Sequence, residues 1–140
     1  MVDAKWRTTI HPAWRPDAGA ELYLLLTATH GMPMIKVLTL GDFDDRMVII
    51  ENSSKTDGEK RKLKGQLATL CRLVVASESQ KILIPRDIGE KAEIKPDSEV
   101  MLVGRELHYE IWNKSNFDKS LNLEMKRVVD TDDNDDLGIF

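Results

Sequence analysis

The richest chemistry in the chain stands near its start, in Asp3-Ala4-Lys5-Trp6-Arg7. A carboxylate four positions before an arginine, on a hairpin or loop, holds the guanidinium in a fixed direction. The planar fork of donors then suits a phosphate or the edge of a guanine. Lys5 and Arg15 add charge of the kind that displaces counterions condensed on double-stranded DNA. The plainer reading of Asp3 and Arg7 is a surface ion pair, contributing about 0–1 kcal/mol.

Other chemistries find little support. His11, His30 and His108 are scattered, and none has a metal-ligand partner at the right spacing. Cys71 falls beside an apolar helical face and reads as a core residue. There is no glycine-rich phosphate loop and no nucleophile elbow. No catalytic residue, metal or cofactor is therefore assigned, and the chain reads as a binding protein, not an enzyme. A single cysteine rules out an internal disulfide, which fits a reducing compartment. No apolar run approaches the ~20 residues of a membrane span, and Met1 to Arg7 lack a signal-peptide core. The expected location is the cytoplasm, with no membrane partner.

The formal net charge is −4, but its distribution matters more. Asp130, Asp132, Asp133, Asp135 and Asp136 form an acidic run, and residues 129–140 read as a solvated tail with little to contribute to the fold. Locally, residues 1–16 carry Lys5, Arg7 and Arg15 against Asp3, whereas residues 77–91 balance Lys81, Arg86 and Lys91 against Glu78, Asp87 and Glu90.

These side chains need elements to hold them. Residues 5–10 lean toward strand, and Pro12, Pro16 and Gly19 punctuate the next stretch of chain. Residues 21–29, 34–40 and 46–51 read as strands, with Gly41-Asp42 and Asp44-Asp45 as turn residues between the last two. Thr56 and Glu59 have capping-box spacing, and Leu63, Leu67, Leu70 and Val74 follow one helical face. Lys60, Arg61, Lys62 and Lys64 crowd that helix's first turns and read as a solvated face. Short strands are expected at 72–76 and 81–84, a helical turn at 86–91, a hairpin at 99–112 and a last helix from near Ser115, with Asp118 at capping-box spacing. Two copies of one plan emerge. Arg7-Thr8-Thr9-Ile10-His11-Pro12 resembles Lys81-Ile82-Leu83-Ile84-Pro85, with one extra residue in the first copy. Val37 to Gly41 resembles Val100 to Gly104, which leaves 11 surplus residues between Pro12 and Lys36. Each copy alone is too small for a stable core, so the two are expected to share one.

In this order and twice over, the motifs resemble the MraZ family, whose repeats carry Asp-x-x-x-Arg leading into Ile-Pro. The resemblance covers roughly residues 2–126 and includes Ile82-Leu83-Ile84-Pro85 and Glu110-Ile111-Trp112. It implies an α+β, mainly β fold. Two tandem AbrB-like swapped-hairpin repeats, residues 1–74 and 75–128, would form a pseudo-dimeric small barrel with peripheral helices. It further implies a homo-oligomer, even a ring, in the cytoplasm and on the nucleoid, regulating transcription by binding short promoter repeats of the division and cell-wall genes. Lys5, Arg7 and Arg15 become the DNA contacts and Asp3 the residue that orients Arg7. The chain departs from the family where glycine usually precedes the motif arginine: Trp6 and Gln80 stand there, and Trp6 is expected to pack. The second motif has Ser77 for the Asp and Lys81 for the Arg, so it reads as degenerate. The chain also begins almost at the first motif, where the family carries another strand. A second reading stays open: an oligomeric scaffold of this kind that acts through protein contacts without strong DNA binding.

Overall fold

In β1 (Arg7–Thr9) the side chains alternate: Thr8 is buried, and Arg7 and Thr9 are exposed. The computed structural model describes residues 1–126 together with Leu137 and Ile139. A single 3₁₀ turn, Pro12–Trp14, follows β1. Next come β2 (Glu21–Thr29) and β3 (Met32–Thr39), joined through His30 and Gly31 at φ 54° and 75°. Two left-handed residues at a hairpin tip match the twist of the strands they join.

The strand expected at 46–51 and the turn expected at 41–45 are corrected by the structure. Both lie within α1 (Leu40–Glu51), where the Thr39 hydroxyl accepts from the Asp42 N–H at 3.1 Å. Phe43, Met47 and Ile50 recur at helical spacing and pack with Leu25 and Leu38. Phe43 stacks on Tyr23 with centroids 4.1 Å apart. The β-branched Val48 and Ile49 that suggested a strand lie on the helix's exposed side.

The capping box of Thr56 and Glu59 opens α2 (Asp57–Leu70) with both of its reciprocal bonds. The helix stops before Val74, which belongs to β4 (Cys71–Val75). Then follow β5 (Lys81–Leu83), α3 (Arg86–Lys91), β6 (Val100–Gly104), β7 (Tyr109–Asn113) and α4 (Lys114–Lys126). The last helix is capped by Asn113, whose Oδ1 accepts from the Asn116 N–H at 3.0 Å, and not through Ser115 and Asp118.

The fold is α+β, with seven strands in two antiparallel sheets and four helices among the described residues. A five-stranded sheet runs β4-β2-β3-β7-β6, while β1 and β5 form a separate two-stranded ribbon. One face of the large sheet packs Leu22, Leu24, Ile35, Val37, Tyr109 and Ile111 against Ile82 of the ribbon, Ile10 and Ile84 just past its strands, and Ile88 of α3. The other face packs Leu25, Leu38 and Cys71 against Ile50 of α1 and Leu67 of α2, with Trp112 against Phe117 of α4. The ribbon and α3 therefore lie on one side of the sheet, and α1, α2 and α4 on the other. Burial pushes the Cys71 thiol up to about 11, as suits a core residue. No closed barrel forms among the described residues, which corrects the expected small barrel.

The same bonds recur 74 positions on, from Arg7 to Lys81. In the ribbon Thr8 faces Ile82, Arg7 faces Leu83 and Thr9 faces Lys81. In the large sheet Lys36 faces Glu110, flanked by Ile35 with Ile111 and Val37 with Tyr109. The caps Thr39 and Asn113 keep the same interval. The expected match of 37–41 with 100–104 is thus corrected: β3 corresponds to β7, and the chain has no surplus of 11 residues there. Its apolar resemblance misled because any two half-buried strands share such a pattern. Nor does the first copy carry an extra residue, since His11 (φ −53°, ψ 130°) holds the place of Pro85 (φ −56°, ψ 132°).

The expectation that residues 129–140 are a solvated tail with little to contribute to the fold is also corrected. Ile139 is fully buried with Ile50, Leu67 and Cys71, Leu137 packs beside it, and Arg46 Nε donates to the Ile139 carbonyl at 2.7 Å. Burying such a side chain stabilises by about 1.5–3 kcal/mol. The acidic residues 130–136 lie outside the described residues. No helix among the described residues is long and apolar enough to cross a membrane.

Candidate nucleic-acid interface

Asp3 organises the first turn. Its Oδ1 accepts the backbone N–H of Lys5 at 2.9 Å and of Arg7 at 3.0 Å, while its Oδ2 accepts Arg7 Nε at 2.9 Å. The Arg7 backbone bond is the largest of the causes that hold the Asp3 carboxyl below the usual carboxylate range. Backbone bonds from Asp3 N to Arg7 O and from Trp6 N to Asp3 O close the loop. Half-exposed, the Arg7 side chain leaves the turn already aimed by its carboxylate.

Ser77 organises the second turn by the same means. Its hydroxyl accepts the Lys81 N–H at 3.0 Å, and Ser77 N to Lys81 O and Gln80 N to Ser77 O repeat the backbone pattern. The sequence marks this copy as degenerate, yet its geometry is retained. The difference lies at the tip: a hydroxyl replaces Asp3 Oδ1 toward the backbone, but nothing replaces Oδ2. Among the described residues Lys81 has no carboxylate partner.

Trp6 and Gln80, at matching places in the two turns, both keep a left-handed backbone, φ 63° and 59°. That conformation costs a non-glycine residue about 1–3 kcal/mol, so tertiary contacts must hold it. Trp6 packs against the core cluster that holds Ile84 and lies over Gly89 of α3, so closely that a methyl at Gly89 would overlap the ring. Gln80 reaches the other way, its Nε2 donating to the Pro16 carbonyl at 3.0 Å. The carbonyls of Trp6 and Gln80 then accept from Ile84 N and Ile10 N, both at 2.8 Å, and so lock each turn to the opposite strand.

This divides the residues singled out by sequence. Lys5, Arg7 and Asp3 share the first turn. Arg15 sits at the other end of the ribbon, its Nε 3.4 Å from the Ile10 carbonyl, beside the turn of Ser77 and Lys81. Arg7 and Lys81 nevertheless lie on one face. Strand alternation and the register place Arg7, Thr9, Lys81 and Leu83 outward and bury Thr8 and Ile82. Thr9 and Leu83 escape a reading of motifs; only the pairing of β1 with β5 puts them there. The basic residues of α2 lie behind the large sheet, away from this face, and Lys64 is bonded to Glu51.

A second polar group is occupied internally. Glu110, buried on β7, accepts Arg105 Nε at 3.0 Å and Trp112 Nε1 at 2.9 Å, and pairs with His108 Nε2 at 3.2 Å. Burial alone would raise its carboxyl. The bonds from His108, Trp112 and Arg105 outweigh that and hold it at about 2. The cluster pins the loop between β6 and β7. No group of three or more metal-ligating side chains gathers among the described residues. No family model matches the chain.

Proposed function

We propose that the chain is a DNA-binding transcriptional regulator of the MraZ kind, in which the outer face of the β1–β5 ribbon enters the major groove. The observation that carries this reading is the placing of Arg7 and Lys81 on one exposed face of a two-stranded ribbon. The major groove is wide enough to admit such a ribbon. Arg7, aimed by Asp3, serves as the base or phosphate contact, and Lys5, Lys81 and Arg15 add charge around it. The repeated bonds around residues 3–7 and 77–81 are what two tandem AbrB-like swapped-hairpin copies would produce, each lending a strand to the other's pair. On this reading the protein acts by binding, needs no cofactor, works in the cytoplasm on the nucleoid, and assembles as a homo-oligomer. Exposed Leu73 and Val75 on the edge strand β4 favour self-association.

The test is binding to the DNA upstream of the chain's own gene, against a scrambled duplex, as salt is raised. Preference for the first duplex, with log affinity falling linearly in log salt, is the expected result. Equal, weak binding to both overturns the reading. It would leave the oligomeric scaffold without strong DNA binding, which the untethered Lys81 favours; light scattering then reads the assembly directly.

A further inference from the structure

The outer face of the ribbon pairs each cation with a side chain that carries a methyl group. Arg7 stands directly opposite Leu83, and Lys81 directly opposite Thr9. Leu83 is 55% exposed, although it lies on an otherwise polar face. Side chains directly opposite in an antiparallel pair have Cβ atoms about 4.5–5.5 Å apart. That reach covers neighbouring base pairs, which repeat every ~3.4 Å. In the major groove guanine offers two acceptors to an arginine fork, and thymine offers a 5-methyl group to an apolar contact.

We infer that Arg7 and Leu83 form one reading unit for a guanine beside a thymine, with Leu83 selecting the thymine methyl. This rests on the DNA reading above and adds to it a residue that determines specificity. Arg7 is held by Asp3, so the position of its fork is set, and Leu83 is then fixed relative to it by the strand register. Lys81 and Thr9 make the weaker half: Lys81 has a point charge in place of the fork, and Thr9 one methyl in place of two. Burying Leu83 against a thymine would remove apolar surface from water on both partners, so its exposure in the free protein is consistent with a contact made on binding.

The probe is a duplex enriched by the protein from a random-sequence pool, then remade with each thymine in turn replaced by deoxyuridine, which removes the 5-methyl alone. At one or two thymines the unmodified protein should lose about four-fold in affinity, the worth of one buried methyl. Leu83→Ala should bind thymine and deoxyuridine duplexes alike while melting at the same temperature as the parent, because the side chain is exposed. The inference is overturned if no thymine responds in a duplex the protein selects, or if Leu83→Ala keeps the full discrimination. Failure of the pool to yield any enriched sequence would overturn the DNA reading itself, and this inference with it.

Discussion

The turns at 3–7 and 77–81 share a backbone and differ in what they do with it. Both close through the same hydrogen bonds, and both hold a non-glycine residue at positive φ. Asp3 has two oxygens, one for the backbone and one for Arg7; Ser77 has one, which accepts the Lys81 N–H and also meets the Ser79 hydroxyl, leaving nothing for the Lys81 side chain. Shape can therefore survive the loss of a motif's charged pair, because the carboxylate's structural duty needs only a single acceptor. What disappears is the aim of the cation.

The sharpest way to break this difference is to compare Arg7→Ala with Lys81→Ala on one duplex at one salt concentration. Arg7→Ala should cost about 1–3 kcal/mol, concentrated on the preferred sequence. Lys81→Ala should weaken all sequences alike and lower the salt slope by about one unit. Equal losses would show that the untethered lysine works as well as the held arginine. Converting the second turn with Ser77→Asp and Lys81→Arg should raise affinity, since it supplies the missing oxygen and the fork together.

The braces differ as well. Gly89→Ala drives a methyl into Trp6 and should destabilise the fold by about 1–3 kcal/mol in chemical denaturation, through overpacking. Gln80→Ala removes one bond to Pro16 and should cost about 0.5–1.5 kcal/mol. A Gly89→Ala protein as stable as the parent would mean that Trp6 does not hold its turn against α3.

The smallest effect is with pH. The Asp3 carboxyl titrates below its unfolded value, so its contribution is present in full above the unfolded carboxylate range. It is lost as pH falls through the lower folded value. The amide resonances of Lys5 and Arg7 should shift together with that titration, while the Lys81 amide, bonded to a hydroxyl, stays still. Movement of all three would place the titrating group elsewhere.

Much of the fold is legible in the order of residues, and the misses have physical causes. Alternation in 7–9 and 81–83, the capping box at Thr56 and Glu59, and the repeat of one strand motif all arise from local chemistry. The strand expected at 46–51 fails because Val48 and Ile49 favour extended backbone only in isolation. The Thr39 cap and the seating of Phe43, Met47 and Ile50 on the sheet outweigh them. That cap and that spacing are visible in the sequence and are the signal that marks the helix. Leu137 and Ile139 are two apolar residues after a run of carboxylates, and nothing local says that they pack with Ile50 of α1, Leu67 of α2 and Cys71 of β4.

By itself the sequence determined the Asp3 and Arg7 pair, since four residues of spacing and complementary charge suffice to bring such groups together in a turn. Its repeated motif also determined that two like turns exist. Only the tertiary structure decided which strand pairs with which. That choice puts Arg7 across from Leu83, sends Arg15 to the far end of the ribbon, and leaves the basic residues of α2 behind the sheet. Spacing along the chain sets which groups are near within a turn. Strand register and the two-sided packing of the sheet, set by contacts distant in sequence, determine which face they share.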